Sequence, residues 1–260
     1  HYFNKKQYSE SGNSYDEIRI SNIPSDLRGS TLYKRGWAHT ESKNHRKSIT
    51  AFSEFISAYP DEKRVSNALA KRALSYRAIE DYTSALQDLN LIISKHPESE
   101  STELAYQQIA LIKGHQQDYR GMIDHYQKLI DTFPDSSANA EAYFWIGWGQ
   151  FELKNFNGSS TALRKARELN RSAYHDRATL RIILAEYSQQ KVEAVRKEME
   201  ILRQKIHNVK IPPQINLWLG INLFDNGNYQ EASTYLSTAS NPQEPKTTQA
   251  VIWKYLGQAH

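Results

Sequence analysis

The sequence has no cysteine, and its 260 residues include only 2 methionines, 8 prolines and 11 glycines. Without cysteine, the chain can form no disulfide bond, no thiolate nucleophile and no thiolate metal site. So little proline and glycine argues against a disordered chain. The longest apolar runs are a few residues, too short to cross a membrane as a helix, so we expect no direct membrane insertion.

Charge of one sign is not in large excess either. The 33 basic and 29 acidic residues leave a formal net charge of +4 at pH 7. Such a balance is typical of a mixed, solvated surface and not of a nucleic-acid interface, which needs a dense basic patch. We therefore expect no nucleic-acid partner.

What the sequence does have is a regular interval between prolines. Pro60, Pro97 and Pro134 follow one another at steps of 37 residues. Proline closes a segment with an aromatic, a small and a large apolar residue at helical spacing, as in Tyr82, Ala85 and Leu89 before Pro97. A fixed period of this size predicts one supersecondary unit that is repeated along the whole chain.

Each unit contains two amphipathic segments of helical length. In the second unit, the first segment places Leu69, Ala73 and Tyr76 on one helical face, at positions i, i+4 and i+7. A polar turn follows, and proline then ends the second helix because it lacks the backbone N–H and clashes with the preceding turn. The small residue at the centre of each helix lets the two backbones approach closely.

The units can be aligned on this pattern. They start at residues 29, 66, 103, 140, 177 and 213, with residues 1–28 as the end of a preceding repeat and residues 250–260 as the first helix of a truncated unit. The crossing point of the first helix carries a small residue in six units, and Leu184 is the exception. The six are Gly36, Ala73, Ala110, Gly147, Gly220 and Gly257. The interval from 177 to 213 is 36 residues instead of 37. We predict that the missing residue shortens the turn around residues 189–191.

This pattern resembles the tetratricopeptide repeat (TPR) family, in which an aromatic and a Leu-Gly pair mark the first helix. Residues 218–220 read Trp-Leu-Gly, and Tyr229, Ala232 and Leu236 follow in the second helix. The resemblance covers essentially the whole chain. It implies an all-α fold, a right-handed α-solenoid of TPR-like helix-turn-helix repeats with a period of 37 residues, as a single domain over residues 1–260.

The ends of the repeats resemble one subclass of the family. Tyr-Pro-Asp at residues 59–61 and Phe-Pro-Asp at residues 133–135 are similar to turns of bacterial envelope TPR proteins. These include the Tol-Pal-associated periplasmic TPR protein and long tandem arrays. The resemblance implies a periplasmic or outer-membrane-associated location in a Gram-negative bacterium.

The phase of the repeat places both chain ends inside units. A solenoid needs capping repeats with a polar outer face at its ends. The C-terminal segment does not fit this role, because it carries the large apolar residues Trp253, Tyr255 and Leu256. We therefore expect that the chain is part of a longer array, and that it self-associates or frays at its C-terminal end.

In the TPR family the first helices line the concave face, and one stripe of their side chains points into the groove. In this chain the stripe presents aromatics and arginines, and it includes Ala185. This composition suits a peptide with apolar anchors and carboxylates. The predicted partner-binding residues are Tyr33, Trp37, Arg77, Gln107, Phe144, Trp148 and Arg181. The alternative is that the aromatics complete the packing between repeats.

The stripe lacks the Lys/Asn/Arg clamp of chaperone-binding TPR proteins, so binding of chaperone C-termini is not expected.

A basic cluster is the second candidate site. It comprises Arg164, Lys165, Arg167, Arg171, Arg177 and Arg181. With only Glu168 and Asp176 beside it, the cluster could bind an acidic partner, lipid headgroups or nucleic acid. The alternative, which we favour, is that basic residues near the end of a helix complement its dipole and its unsatisfied carbonyls.

Signatures of catalysis are lacking. The 9 histidines form no HExxH motif, and the sequence has no Gly-rich phosphate loop and no GxSxG motif. His39, His115 and His260 recur near the ends of first helices, where solvated or capping roles are expected. We therefore predict no enzyme activity, no catalytic residue, no metal site and no cofactor.

The sequence thus predicts a non-catalytic protein–protein interaction scaffold, which binds a partner protein or peptide on its concave face. The alternative is a TPR regulatory or carrier segment of a larger multidomain protein, such as a sensor or a transferase.

Overall fold

The computed structural model describes residues 3–203, 211–240 and 245–259, and all regular structure in these ranges is helical. The helices are α1 Tyr8–Asp16, a 3₁₀ helix Ile20–Asn22, α2 Ser25–Glu41, α3 His45–Ala58, α4 Val65–Ala78, α5 Tyr82–Lys95, α6 Thr102–His115, α7 Tyr119–Thr132, α8 Asn139–Glu152, α9 Phe156–Leu169, α10 Arg171–Ser188, α11 Val192–Arg203, α12 Pro213–Asp225, α13 Tyr229–Ala239 and α14 Lys246–Ala259. This order confirms the predicted all-α fold of repeated helix-turn-helix units.

The chain divides into two compact units. The first ends at Pro134 and holds α1 to α7, and the second begins at Asp135 and holds α8 to α14. The predicted single solenoid over residues 1–260 stays a prediction.

Each unit buries its own apolar core between the helices of its hairpins. Phe55 and Leu89 are fully buried in the first unit, as are Leu219 and Tyr235 in the second. Because each hairpin contributes an apolar residue at the same positions, the core of each unit continues from one hairpin to the next.

The two helices of each hairpin are joined by a turn of constant length. Each turn has three residues, and the middle one adopts a left-handed backbone. These middle residues are Lys43, Glu80, Gln117, Lys154, Gln190 and Gly227. In the turn after α6, the backbone N–H of Asp118 donates to the carbonyl of Lys113 (2.9 Å), and its carboxylate accepts from the N–H of Gly121 (2.9 Å). One aspartate therefore closes one helix and starts the next.

The 36-residue step lies between α9 and α10, and not in a hairpin turn. The turn at residues 189–191 has three residues like the others, whereas Asn170 alone separates α9 from α10. The connections after α3 and α5 have six residues each. In compensation, α10 has 18 residues against 14 in α8. The prediction of a shortened turn is therefore wrong, and the crossing residue of α10 is Ile183 instead of Leu184.

Each hairpin closes where a residue of the first helix meets a large residue sixteen positions later. A Cβ atom on Gly147 would lie 2.6 Å from Cγ of Leu163, and a Cβ atom on Gly220 would lie 2.7 Å from Cγ of Leu236. Ile183 holds the same position in α10 and is fully buried. The helices of the glycine hairpins thus approach so closely that a side chain at the crossing would overlap its neighbour.

Gly147→Ala should destabilise the protein, although alanine is the better helix former. Alanine gains about 1 kcal/mol of helix propensity over glycine. Its methyl group, however, would overlap the Leu163 side chain and lie 3.1 Å from the Leu163 backbone nitrogen, and overpacking costs about 1–3 kcal/mol. We expect a lower midpoint of urea denaturation, measured by circular dichroism.

Gly257→Ala is the matched control for this substitution. It lies at the same repeat position, but no atom of the described chain lies within 4 Å of the added methyl group. Its denaturation midpoint should stay the same or rise. If the Gly147→Ala protein is as stable as the Gly257→Ala protein, the crossing does not require glycine.

Candidate partner-binding surface

Tyr33, the first predicted groove residue, belongs to the core of the first unit. It is 6% exposed, and its ring meets those of Phe52 and Phe55 edge-on, with centroids 5.8 and 5.5 Å away. Its hydroxyl donates a hydrogen bond to Oδ1 of Asn67 (2.6 Å). Burial raises the pKa of Tyr33, and the nearby Arg64 charge partly opposes this rise. Tyr33 therefore supports its hairpin and offers a partner little surface.

Trp37, four residues further along α2, is half-buried and held from several sides. Its ring meets Phe3 edge-on at 5.5 Å, and Nζ of Lys71 lies 4.4 Å from its centroid. Its indole N–H donates to Glu41 (2.9 Å). Burial lowers the pKa of Lys71, and Glu41 partly opposes this. The indole is thus fixed in orientation while part of its surface stays accessible.

The other predicted residues differ in their exposure. Arg77 on α4 and Gln107 on α6 are half-buried in the first unit. In the second unit, Phe144 on α8 is 4% exposed and stacks on Tyr174 with centroids 5.1 Å apart. Phe144 therefore packs in the core, as the alternative interpretation expected for such aromatics.

Trp148 is the counterpart of Trp37 in the second unit. It is half-buried, and it meets Trp145 edge-on at 5.6 Å. Cζ of Arg181 lies 5.6 Å from its ring centroid. Like Trp37, it combines an aromatic ring held by neighbours with a cation over one face.

One position of each first helix from α2 to α12 keeps a half-exposed apolar side chain. We call these residues the first-helix stripe: Trp37, Leu74, Leu111, Trp148, Leu184 and Ile221. The prediction placed Ala185 here in α10, and this is wrong, because the missing residue precedes α10. Ala185 is fully buried. The same correction moves Arg181 one position off the stripe, although its guanidinium still lies over Trp148.

In the basic cluster, Arg164 and Arg167 are neutralised by two buried carboxylates. Arg164 donates to Glu186 (2.8 Å) and Glu198 (3.1 Å), and Arg167 donates to Glu198 (2.6 Å). Both glutamate side chains are almost fully buried. Burial alone would lower the pKa of Arg164, but its bonds to the glutamates raise it overall. These glutamates come from α10 and α11, outside the basic segment, and the spacing of charges along the sequence does not indicate the pairing.

The rest of the basic cluster does not join this network. Lys165 pairs with the exposed Glu168 (3.3 Å), and Arg171 is exposed. Arg177 and Arg181 lie over aromatic rings. The cluster is therefore divided among separate environments and is not one continuous basic site.

His39 is buried, which corrects the expectation of a solvated or capping histidine. It is 2% exposed, and its Nε2 lies 2.9 Å from Oδ1 of Asp16 on α1. Lys47 donates to the other oxygen of the same carboxylate (2.7 Å). A Cβ atom on Gly12 would lie 2.8 Å from Cε1 of His39, so a larger residue at this contact would require the imidazole or α1 to shift.

The other histidines of this series form no site of this kind. His115 is exposed at the end of α6, and His260 lies outside the described residues. In the part of the chain that the structure describes, no group of three or more His, Asp or Glu side chains is arranged to hold a metal ion. None of the described helices is long and apolar enough to cross a membrane.

Comparison with known proteins identifies the repeat. The sequence model described as tetratricopeptide repeat matches residues 30–62, 67–99 and 104–136. No curated protein matches the sequence.

Several solved structures share the fold. A tetratricopeptide repeat protein from Parabacteroides merdae has a TM-score of 0.56 at 13% identity, over 99% of this chain and 94% of that one. The C-terminal part of a TPR repeat-containing protein from Cytophaga hutchinsonii has a TM-score of 0.70 at 13% identity, over 96% of both chains. A MamA protein has a TM-score of 0.58 at 17% identity, over 72% of this chain and 98% of that one. At these identities the likeness concerns the fold alone.

Asp16 should make the docking of α1 sensitive to acid. Burial alone would raise its pKa, but hydrogen bonds from Lys47 and His39 outweigh burial and hold the pKa below its ordinary value of 3.8. Such a carboxylate stabilises the fold above its unfolded pKa, and this contribution is lost as the pH falls through the folded pKa. We expect Asp16→Asn to lower the thermal midpoint at neutral pH, and the difference from wild type to shrink as the pH falls below about 4 and to vanish only at strongly acidic pH, below the folded pKa.

Glu10→Gln, which removes an exposed carboxylate from the same helix, is the control and should change the midpoint little. If the difference between wild type and Asp16→Asn persists at strongly acidic pH, the carboxylate does not act through its charge.

Glu198→Gln should destabilise the second unit by about 2 kcal/mol. Breaking a buried ion pair costs about 3–5 kcal/mol, and the 42% exposure of the Arg164 side chain reduces this figure through solvent screening. Glu168→Gln is charge-matched, and its side chain is 69% exposed. It should change the stability by less than about 0.5 kcal/mol. Equal urea midpoints for the two variants would contradict the assignment of Glu198 as the central carboxylate.

Proposed function

The chain is a tetratricopeptide repeat protein, and we propose that it is a non-catalytic scaffold, which binds a partner protein or peptide along its first helices. We identify this surface with the concave face of the repeat family. Stacked hairpins suit this task because the packing positions form the core, and the remaining positions of each helix are available to contact a partner.

The first-helix stripe carries this proposal. Packing positions such as Ala73 and Leu89 are fully buried. By contrast, every stripe residue is apolar and half-exposed, and it occupies the same position of its helix-turn-helix repeat. A repeated accessible apolar side chain is what a partner with apolar anchors needs, because a few such contacts supply most of the free energy of binding.

Trp37 and Trp148 are the strongest anchors on this stripe. Each ring is already fixed by an aromatic neighbour and by a cation. A side chain that is ordered before binding loses little conformational entropy when the partner arrives. These two tryptophans should therefore contribute more to affinity than the aliphatic members of the stripe.

The same proposal includes a place of action in the bacterial cell envelope, periplasmic or associated with the outer membrane. It is supported by the resemblance of the Tyr-Pro-Asp and Phe-Pro-Asp turns to those of envelope TPR proteins. Fractionation of the source organism with an antibody against the chain tests it, and recovery in the cytoplasm alone would exclude this location.

Trp148→Ala should weaken partner binding by roughly tenfold or more, as is usual for a tryptophan at the centre of an interface. The partner is first captured on the immobilised chain from extracts of the source organism and identified by mass spectrometry. The affinity of the purified partner is then measured by calorimetry for wild type, Trp37→Ala and Trp148→Ala.

Trp253→Ala is the matched control, because Trp253 is 65% exposed and lies outside the first-helix stripe. It should bind the partner as wild type does. If both stripe variants also bind with unchanged affinity while they stay folded by circular dichroism, the first-helix stripe is not the partner site.

A further inference from the structure

Two arginines of α10 lie over aromatic rings in the second unit. Cζ of Arg177 lies 4.6 Å from the ring centroid of Phe144 and 5.9 Å from that of Tyr174. Cζ of Arg181 lies 5.6 Å from the ring centroid of Trp148. We call these five residues the arginine platform. A guanidinium held by an aromatic ring is restricted in orientation but keeps its N–H donors.

Neither of these guanidinium groups has a protein acceptor in the described part of the chain. Neither donates a side-chain hydrogen bond or forms an ion pair there. By contrast, Arg164, Arg167 and Arg196 in the same unit all bind glutamates. Since contact with a ring does not satisfy the N–H groups of an arginine, both arginines of the platform keep their hydrogen-bonding capacity for another molecule.

The charge of the platform is compensated only in part. Arg177 and Arg181 are four residues apart and therefore lie on the same side of α10. Burial lowers the pKa of Arg181, the nearby Glu152 opposes this, and the charge of Arg177 adds to it. The acid next to Arg177 in sequence, Asp176, is engaged with His175 (2.7 Å). Two cations therefore lie on one side of α10 with Glu152 as the carboxylate near Arg181, and a bound anion would add to this partial compensation.

The platform depends on the irregularity of the repeat. In the first unit, six residues of non-helical chain precede α4 and α6, whereas α10 begins directly after Asn170. The added N-terminal turn of α10 carries Tyr174, which stacks on Phe144. Tyr174 and Phe144 together form the aromatic surface under Arg177.

We propose that the arginine platform binds an acidic segment of a protein partner through two carboxylates. This inference rests on the proposed scaffold function and names the chemistry that one part of the surface recognises. A guanidinium binds a carboxylate through two parallel N–H···O bonds. The spacing of the two arginines on α10 is about 6 Å between Cβ atoms, close to the spacing of residues i and i+2 on one side of an extended peptide.

The test uses two fluorescein-labelled peptides that differ only in their charge. One carries Glu-Val-Glu between leucines, and the other carries Gln-Val-Gln in the same frame. Fluorescence anisotropy at low salt should show that the intact chain binds the acidic peptide at least about tenfold more tightly, the size expected for charge-assisted hydrogen bonds. The double variant Arg177→Gln, Arg181→Gln should lose this preference.

The control variant removes the same charge elsewhere in the basic cluster. Lys165→Gln, Arg171→Gln changes two solvent-accessible cations that the aromatic rings do not hold, and it should keep the preference. Arg177→Lys, Arg181→Lys retains the charge but not the planar fork, and it should lose most of the preference. If the control loses as much as the Gln variant, or if the intact chain does not prefer the acidic peptide, the proposal is overturned.

A single-stranded oligonucleotide supplies the competing phosphate ligand. Binding of the oligonucleotide that is steeply salt-dependent and is lost in the Arg177→Gln, Arg181→Gln variant would overturn the proposal in favour of a phosphate site. The proposed scaffold function is tested separately by the tryptophan variants. If those variants weaken a captured partner while the intact chain shows no preference for the acidic peptide, the scaffold stands and only the carboxylate site fails.

Discussion

The structure depends on one contact, the crossing of the two helices in each hairpin. At Gly147 and Gly220 the neighbouring leucine lies so close that a Cβ atom would overlap it. The three-residue turn fixes the distance along the chain from this small residue to the large one sixteen positions later. Because the crossing and the turn are both the same, the remaining positions of the first helix keep the same relation to the hairpin in every helix-turn-helix repeat. The first-helix stripe is the consequence of this constraint.

The described hairpin turns all have the same length, and the irregularity of the repeat lies between hairpins. The connection after α9 is reduced to Asn170, and α10 gains an N-terminal turn in place of the loop. That turn brings Tyr174 onto Phe144 and sets Arg177 above both rings. In the described part of the chain, this deviation from the 37-residue period therefore places Tyr174 and Arg177 against Phe144. In the first unit, by contrast, the corresponding ring, Tyr33, lies under Arg64, which is paired with Glu62.

The fold could be predicted from the sequence because its determinants are local. Apolar spacing, the small crossing residue and the closing proline all act within one hairpin. The position of the missing residue could not be predicted from the same spacing, since Ile183 and Leu184 are both large and apolar. A better signal was available. Position 171, where the next closing proline is due, holds Arg171, which indicated that this connection differs from the others.

The candidate site was less predictable, because its chemistry depends on residues from different helices. Arg164 and Arg177 lie in the same basic cluster, yet Arg164 meets Glu186 and Glu198 while Arg177 meets aromatic rings. A count of charges along the sequence gives both arginines the same role. Only the packing of α9, α10 and α11 decides which cations are used internally, since a buried carboxylate requires a cation nearby. Within the basic cluster, Arg177 and Arg181 rest on aromatic rings and form no ion pair in the described part of the chain, and we therefore place the capacity to bind an acidic partner there.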